Sequence, residues 1–206
     1  MRVEGWGCAV GIGLVGLIES TCYAKLVKNG GRTKGKKEFV FNDWIFLYFC
    51  KKHHVDMTAE QEKTDEQMMR KALAEAEKAL ERGEIPIGAV VTCHGRIIAR
   101  AHNLTETLHD VTAHAEMQAI TVAANELGGK YLTDCTVYVT VEPCVMCAGA
   151  LGWAQVRRVV YGAPDEKRGY RAFAPAALHP KAQVTSGVLC EECRQMMLDF
   201  FAEKRK

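Results

Sequence analysis

The sequence has no internal repeat, no apolar run long enough to cross a membrane, and almost no net charge. Without a repeat, solenoids and propellers are excluded. The Gly-rich apolar run WGCAVGIGLVGLI near the start is thirteen residues long, short of the ~20 that a spanning helix needs. Nor do the nine cysteines form a disulfide framework. Their number is odd, their spacing is irregular, and 206 residues can bury a full core without covalent staples. A reduced, intracellular protein that uses some of its thiols for a metal is the better reading. With 48% hydrophobic and 25% charged residues, the chain falls in the ordinary globular range.

The net charge of +2 is unevenly spread. Residues 1–56 carry nine Lys/Arg against five acids, whereas residues 157–206 carry ten against six and end in Lys204-Arg205-Lys206. A basic end of this kind suits a polyanion or is simply solvated. The first quarter shows no clean helical or strand period. Arg2 before the apolar run and Cys22-Tyr23-Ala24 after it give only a weak imitation of a signal peptide. At Met57 the composition changes, so we read Met57 as the functional start and 1–56 as an atypical N-terminal extension, either a leader or an over-called start.

From there the sequence predicts alternating elements. Thr58 and Thr64 each open a Thr-x-x-Gln capping pattern. Met69, Leu73, Ala76 and Leu80 make an apolar helical stripe that Gly83 stops. IPIGAVV and RIIARAH read as strands joined by a turn at His94-Gly95. A helix entered at Thr112 ends at Gly128-Gly129. CTVYVTV is a strand, PCVMCAGALGWA a short helix with proline at its start, RRVVYG a strand, AQVTSGV a short strand, and CEECRQMMLDFFAEKRK a closing helix. The alternation implies an α/β fold with helices on both faces of the sheet.

Two segments carry chemistry. VEPCVMCAG places Cys144 and Cys147 three apart on one helical turn, facing the same way. The pair could be a redox couple, half of a metal site or two buried neighbours. HAE supplies His114 and Glu116 at another helix start. One His and two Cys are good zinc ligands, and three protein ligands leave a fourth position open, as catalytic sites do. Glu116 does not share the direction of His114 and is free to move protons. Both helix N-termini favour thiolate. Cys190-Glu-Glu-Cys193 is a second CxxC, but its distance from the first argues against a closed site of four cysteines, and its amphipathic setting suits ordinary helix residues. His102, His109 and His179 have no supporting spacing.

The pattern H-x-E…P-C-x-x-C is the signature of the zinc nucleobase deaminases. TAHAE, EPCVMCAGA, RRVVYGAPDEKRG and VTSGVLCEECRQMMLDFF together resemble the bacterial tRNA-specific adenosine deaminase family, from about Gln67 to the end. The resemblance implies a three-layer α/β/α cytidine-deaminase-like fold, with a central mixed sheet of about five strands in a 57–206 deaminase domain. It implies one Zn2+ on His114, Cys144 and Cys147, and Glu116 as proton shuttle. It also implies substrate contacts by Asn103, Ile87 and Val141, and anticodon-loop contacts by Asp165, Lys167 and Phe200. The family often has Asp-Pro-Thr before AHAE where this chain has Asp110-Val111-Thr112, which removes a rigid helix start but no ligand. The implied activity is hydrolysis of a wobble adenosine to inosine in a tRNA anticodon loop, by a cytoplasmic homodimer with no membrane partner. A deaminase of a free guanine- or cytosine-type base or nucleotide is the alternative within enzymes. A structural zinc module is the alternative outside them.

Overall fold

The computed structural model describes the backbone of residues 40–205 and the side chains of 59–205. The compact unit that carries the sheet is Lys52–Lys206. The expected extension, residues 1–56, lies outside the residues whose side chains are described. No helix among the described residues is long and apolar enough to cross a membrane.

The first element is a long helix, α1 (Val40–Glu81), which runs through both expected caps. The Thr64 hydroxyl donates to the Glu60 carbonyl at 2.8 Å, one turn back within the helix, so it does not cap. The expected stop does occur. Gly83 has φ 75°, and the Gly83 and Glu84 N–H groups close on the Leu80 and Ala79 carbonyls. The buried stripe is rotated from the one read in the sequence. Met69, Ala72, Ala76 and Ala79 are fully buried, whereas Leu80 is 39% exposed. The cause is a close backbone approach. A Cβ on Gly88 would lie 2.0 Å from the Ala72 carbonyl oxygen and 2.5 Å from the Ala76 nitrogen, so alanines sit where the two backbones meet.

Strands β1 (Gly88–Cys93) and β2 (Arg96–His102) form a hairpin. His94 and Gly95 both have positive φ, as a two-residue turn matched to strand twist requires. Strand β3 (Cys135–Val141) pairs antiparallel with β1 and parallel with β4 (Arg158–Ala163), which pairs parallel with β5 (Gln183–Ser186). The order is β2-β1-β3-β4-β5, the expected five-stranded mixed sheet. Between these strands lie α2 (Thr105–Leu108), α3 (Ala115–Leu127), α4 (Val145–Trp153) and α5 (Tyr170–Phe173), and α6 (Cys190–Lys204) closes the chain. The four-residue helices α2 and α5 are too short to show a period and were not expected.

One sheet face packs Ala89, Val91, Val137 and Val159 against Ala115, Ala119 and Ala123 of α3 and Leu151 of α4. The other packs Val90, Tyr138 and Val160 against Met69 and Ala72 of α1 and Cys193 of α6. Helix α3 starts at Ala115 rather than Thr112, because residues 110–113 form a tight turn. In that turn the Thr112 N–H and hydroxyl both donate to Asp110 Oδ1. Helix α4 starts at Val145, one residue after Cys144, so Pro143 precedes the cap instead of opening the helix.

Asp65 fastens α1 to the sheet. It is 3% exposed and accepts both Arg158 Nη atoms at 2.7 and 2.6 Å, Gln61 at 2.9 Å and the Tyr138 hydroxyl at 3.1 Å. Burial alone would raise its pKa. The Arg158 guanidinium and these donors outweigh that and hold it below the ordinary aspartate value. Stability from a depressed aspartate is present above its unfolded pKa and is lost as pH falls through the folded one. Replacing Asp65 by Ala strands a mostly buried guanidinium. The expected loss is ~3 kcal/mol by urea unfolding at pH 7, with the gap to wild type narrowing below pH 4.

Candidate active site

The site sits where two helices on one sheet face begin. His114 is the N-cap of α3, with φ −67° and ψ 156°. Cys144 is the N-cap of α4, with φ −70° and ψ 172°. Neither is a conventional capping residue, and neither spends its side chain on the cap. Extended backbone at each cap instead sends the ring and the thiol toward each other. Cys147, one turn into α4, completes the group.

The three ligand atoms lie within 4.8 Å of one another. His114 Nδ1 is 3.7 Å from Cys144 Sγ and 3.5 Å from Cys147 Sγ. Tetrahedral zinc with ordinary Zn–N and Zn–S bonds holds nitrogen and sulfur ~3.6 Å apart, so the spacing fits that ion. The electrostatics fit as well. The Cys147 thiol stabilises the Cys144 thiolate, with burial opposing and His114 assisting, and the Cys144 pKa falls to about 4. Donating to Cys144, together with burial, pushes Cys147 far up. His114 is raised chiefly by its bond to Cys144. The cluster thus holds a proton where a divalent cation would bind two thiolates.

Glu116 lies in the first turn of α3 at 3% exposure. Burial is the main reason that its pKa is raised, and its Oε2 has no hydrogen-bond partner. A buried carboxylate oxygen without a partner is costly, which leaves Glu116 as an acceptor for a water or substrate proton beside the ligand group. His114, Cys144, Cys147 and Glu116 are therefore brought together as the sequence suggested.

Asn103 is 2% exposed. Its N–H donates to the Ile87 carbonyl at 3.0 Å, and the next N–H, of Leu104, donates to the Ala113 carbonyl at 2.9 Å. Asn103 and Ile87 are thus stitched to the turn that carries His114. Val141 ends β3, three residues before Cys144, and is 7% exposed. Lys167 is exposed, and Asp165 Oδ1 is occupied by the Lys167 and Arg168 N–H groups at 2.9 and 3.1 Å. Phe200 is on α6, against the other face of the sheet. At 7% exposure it stacks edge-on to Phe201, which is 43% exposed. Cys193 is packed at 1% exposure and Cys190 is partly exposed, as expected of ordinary helix residues.

Two carboxylates escaped the sequence reading because loop residues carry no period. Glu84 grips the 103–107 segment. Glu142 accepts the Asp165 N–H at 3.2 Å, the Arg171 N–H at 3.1 Å and the Arg171 guanidinium at 3.3 Å. This holds the 165–171 loop against Pro143 and Cys144, where Tyr170 N–H meets the Pro143 carbonyl at 2.9 Å and Gly169 bridges to Cys144. A Cβ on Gly169 would lie 2.4 Å from the Asp165 carbonyl oxygen and 2.5 Å from the Glu142 carboxylate. Gly169→Ala should therefore loosen Cys144 and weaken zinc retention about tenfold. A chromogenic chelator competition measures this, and wild-type retention would show that the loop does not support the ligand.

Residues 62–163 match the family model of the cytidine and deoxycytidylate deaminase zinc-binding region. The chain is 49% identical over 147 residues to a tRNA-specific adenosine deaminase of Bacillus subtilis (strain 168), spanning 69% of this chain and 91% of that one. It is 46% identical to a tRNA-specific adenosine deaminase of Agrobacterium fabrum, spanning 66% and 93%. Among solved structures it resembles a tRNA:A34 deaminase studied for A-to-I editing at the wobble position. That match has 44% identity and a TM-score of 0.60, covering 63% of this chain and 98% of that one. It also resembles a guanine deaminase from Nitrosomonas europaea, with 25% identity and a TM-score of 0.60, covering 66% and 84%.

Proposed function

We propose, since this chain belongs to the tRNA-specific adenosine deaminase family, that it hydrolyses the wobble adenosine of a tRNA anticodon loop to inosine, releasing ammonia. The observation that carries the reading is the unpartnered, buried Glu116 oxygen beside a His/Cys/Cys group spaced for zinc. One Zn2+ is the cofactor, with His114, Cys144 and Cys147 as its holders, and it supplies a Lewis acid that brings the pKa of a water toward neutrality.

The remaining acts belong to the chain. Glu116 accepts a proton from the attacking water and returns it to the adenine ring nitrogen. Oxygen bonds to C6, the remaining hydroxyl proton passes to the amino nitrogen, and the C6–N bond breaks as the C6 carbonyl forms and ammonia leaves. Asn103, Ile87 and Val141 hold the flipped base. Unstacking costs a few kcal/mol and is least costly in a loop, which favours an anticodon substrate. Asp165, Lys167 and Phe200 contact that loop, and the basic surplus after residue 157 supports a polyanionic partner. The deaminase domain is 57–206, preceded by the 1–56 extension. The working form is a cytoplasmic homodimer.

Glu116→Ala should keep one zinc per chain and lose at least ~10²-fold in inosine formation. The assay compares tRNA bearing wobble adenosine with free adenine, guanine and cytidine. Near-normal turnover would refute the role of Glu116. Ammonia from free guanine with the tRNA untouched would move the chain to base salvage.

A further inference from the structure

The carboxylate of Glu84 is fully buried, and it sits in the loop between α1 and β1. No cation faces it in the hydrogen bonds of the described residues. It instead accepts the Thr107 N–H at 2.7 Å, the Glu106 N–H at 3.1 Å, the Thr105 hydroxyl at 3.2 Å and Asn103 Nδ2 at 3.0 Å. Burial would raise its pKa, but these donors, the Thr107 N–H first, outweigh it and keep the group ionised.

An ionised carboxylate accepts and never donates. Only the nitrogen side of the Asn103 amide can face it, so the amide cannot turn over. Nδ2 also donates to Thr105 Oγ1 at 2.9 Å, and Thr105 Oγ1 itself lies 3.2 Å from the same Glu84 oxygen. Nδ2 is thus held by two acceptors that are themselves bonded to each other. Asn103 Oδ1 accepts no hydrogen bond among the described residues. We propose that Glu84, with Thr105, is a positioning residue that locks the Asn103 amide. The lock leaves Oδ1 as a fixed acceptor for the flipped nucleoside.

The inference rests on the reading of Asn103 as a substrate contact. An amide presented in one orientation discriminates between substrates that offer a donor to its oxygen and those that offer an acceptor there. A freely turning amide would accept both. Glu84 touches no substrate and acts only through Asn103.

Glu84→Gln tests this, because the new carboxamide can offer its own N–H groups and so release the amide. The expected result is a loss of about tenfold in kcat/KM for wobble-adenosine tRNA, corrected for zinc-loaded protein, and a loss under about twofold when Asn103 is already Ala. Equal losses in the two backgrounds, or no loss, would overturn the proposal and leave Glu84 as a fold residue. A substrate-free readout runs beside it. In wild type the Asn103 side-chain amide should be protected from hydrogen exchange by NMR, and Glu84→Gln should remove that protection. Retained protection overturns the lock whether or not inosine forms. Absence of inosine from the wild type refutes the functional reading instead. If Glu84→Gln does not fold, Thr105→Val removes the second acceptor and should lower the protection and kcat/KM in the same way. Unchanged values there overturn the proposal.

Discussion

An ionised carboxylate can be buried only where enough donors replace its water, and this constraint organises the functional end of the molecule. Among the described residues five acidic side chains are buried, at Asp65, Glu75, Glu84, Glu116 and Glu142. Asp65 is matched by a guanidinium, an amide and a phenol, and it fixes α1 to the sheet. Glu84 and Glu142 are matched largely by backbone N–H groups and by side chains of the loops that they hold. Each therefore converts a loop into a rigid wall of the site. Of the five, only Glu116 keeps a buried oxygen with no partner. The unmatched carboxylate is the one beside the ligand group, so the contrast separates the residues that build the site from the one proposed to move protons.

The same logic explains the two helix starts. Ser, Thr, Asp or Asn at a cap would spend its side chain on the first helical N–H groups. Here the caps are His114 and Cys144, whose side chains are turned to each other. The positive ends of two helices meet at the cluster and favour its anionic sulfur. Some capping stability is given up at both helices, and the turn at Asp110–Ala113 and the Glu142-held loop take over the work of fixing the backbone there.

Much of this was legible in the sequence for reasons that can be named. Strands β1 to β4 are apolar runs bounded by turn residues, and His94-Gly95 fits the turn that the hairpin needs. The zinc ligands and Glu116 are close in sequence to strong local signals, so their spacing carried information. The face of α1 was not legible, because the close approach at Gly88 makes alanine the core residue and turns Leu80 outward. The start of α3 was misplaced because Thr112 looks like a cap but is engaged by Asp110. Glu84 and Glu142 gave no signal, since their partners lie 19 to 29 residues away. Long-range polar pairing has no periodicity to read.

These features divide the labour between frame and loops. The ligands and Glu116 are set by helix starts packed on a sheet face, and that frame does not depend on which base is presented. Of the residues proposed to meet the substrate, Asn103, Asp165 and Lys167 lie on segments 103–113 and 164–182, outside the sheet, whereas Ile87 precedes β1, Val141 ends β3 and Phe200 is on α6. Loops can vary substrate choice without disturbing a rigid frame, but only if something stiffens them. In this chain buried carboxylates do so, Glu84 for the first segment and Glu142 for the second. A change of substrate within this architecture would therefore show first in the donors that those two carboxylates accept, and only then in the metal-binding group.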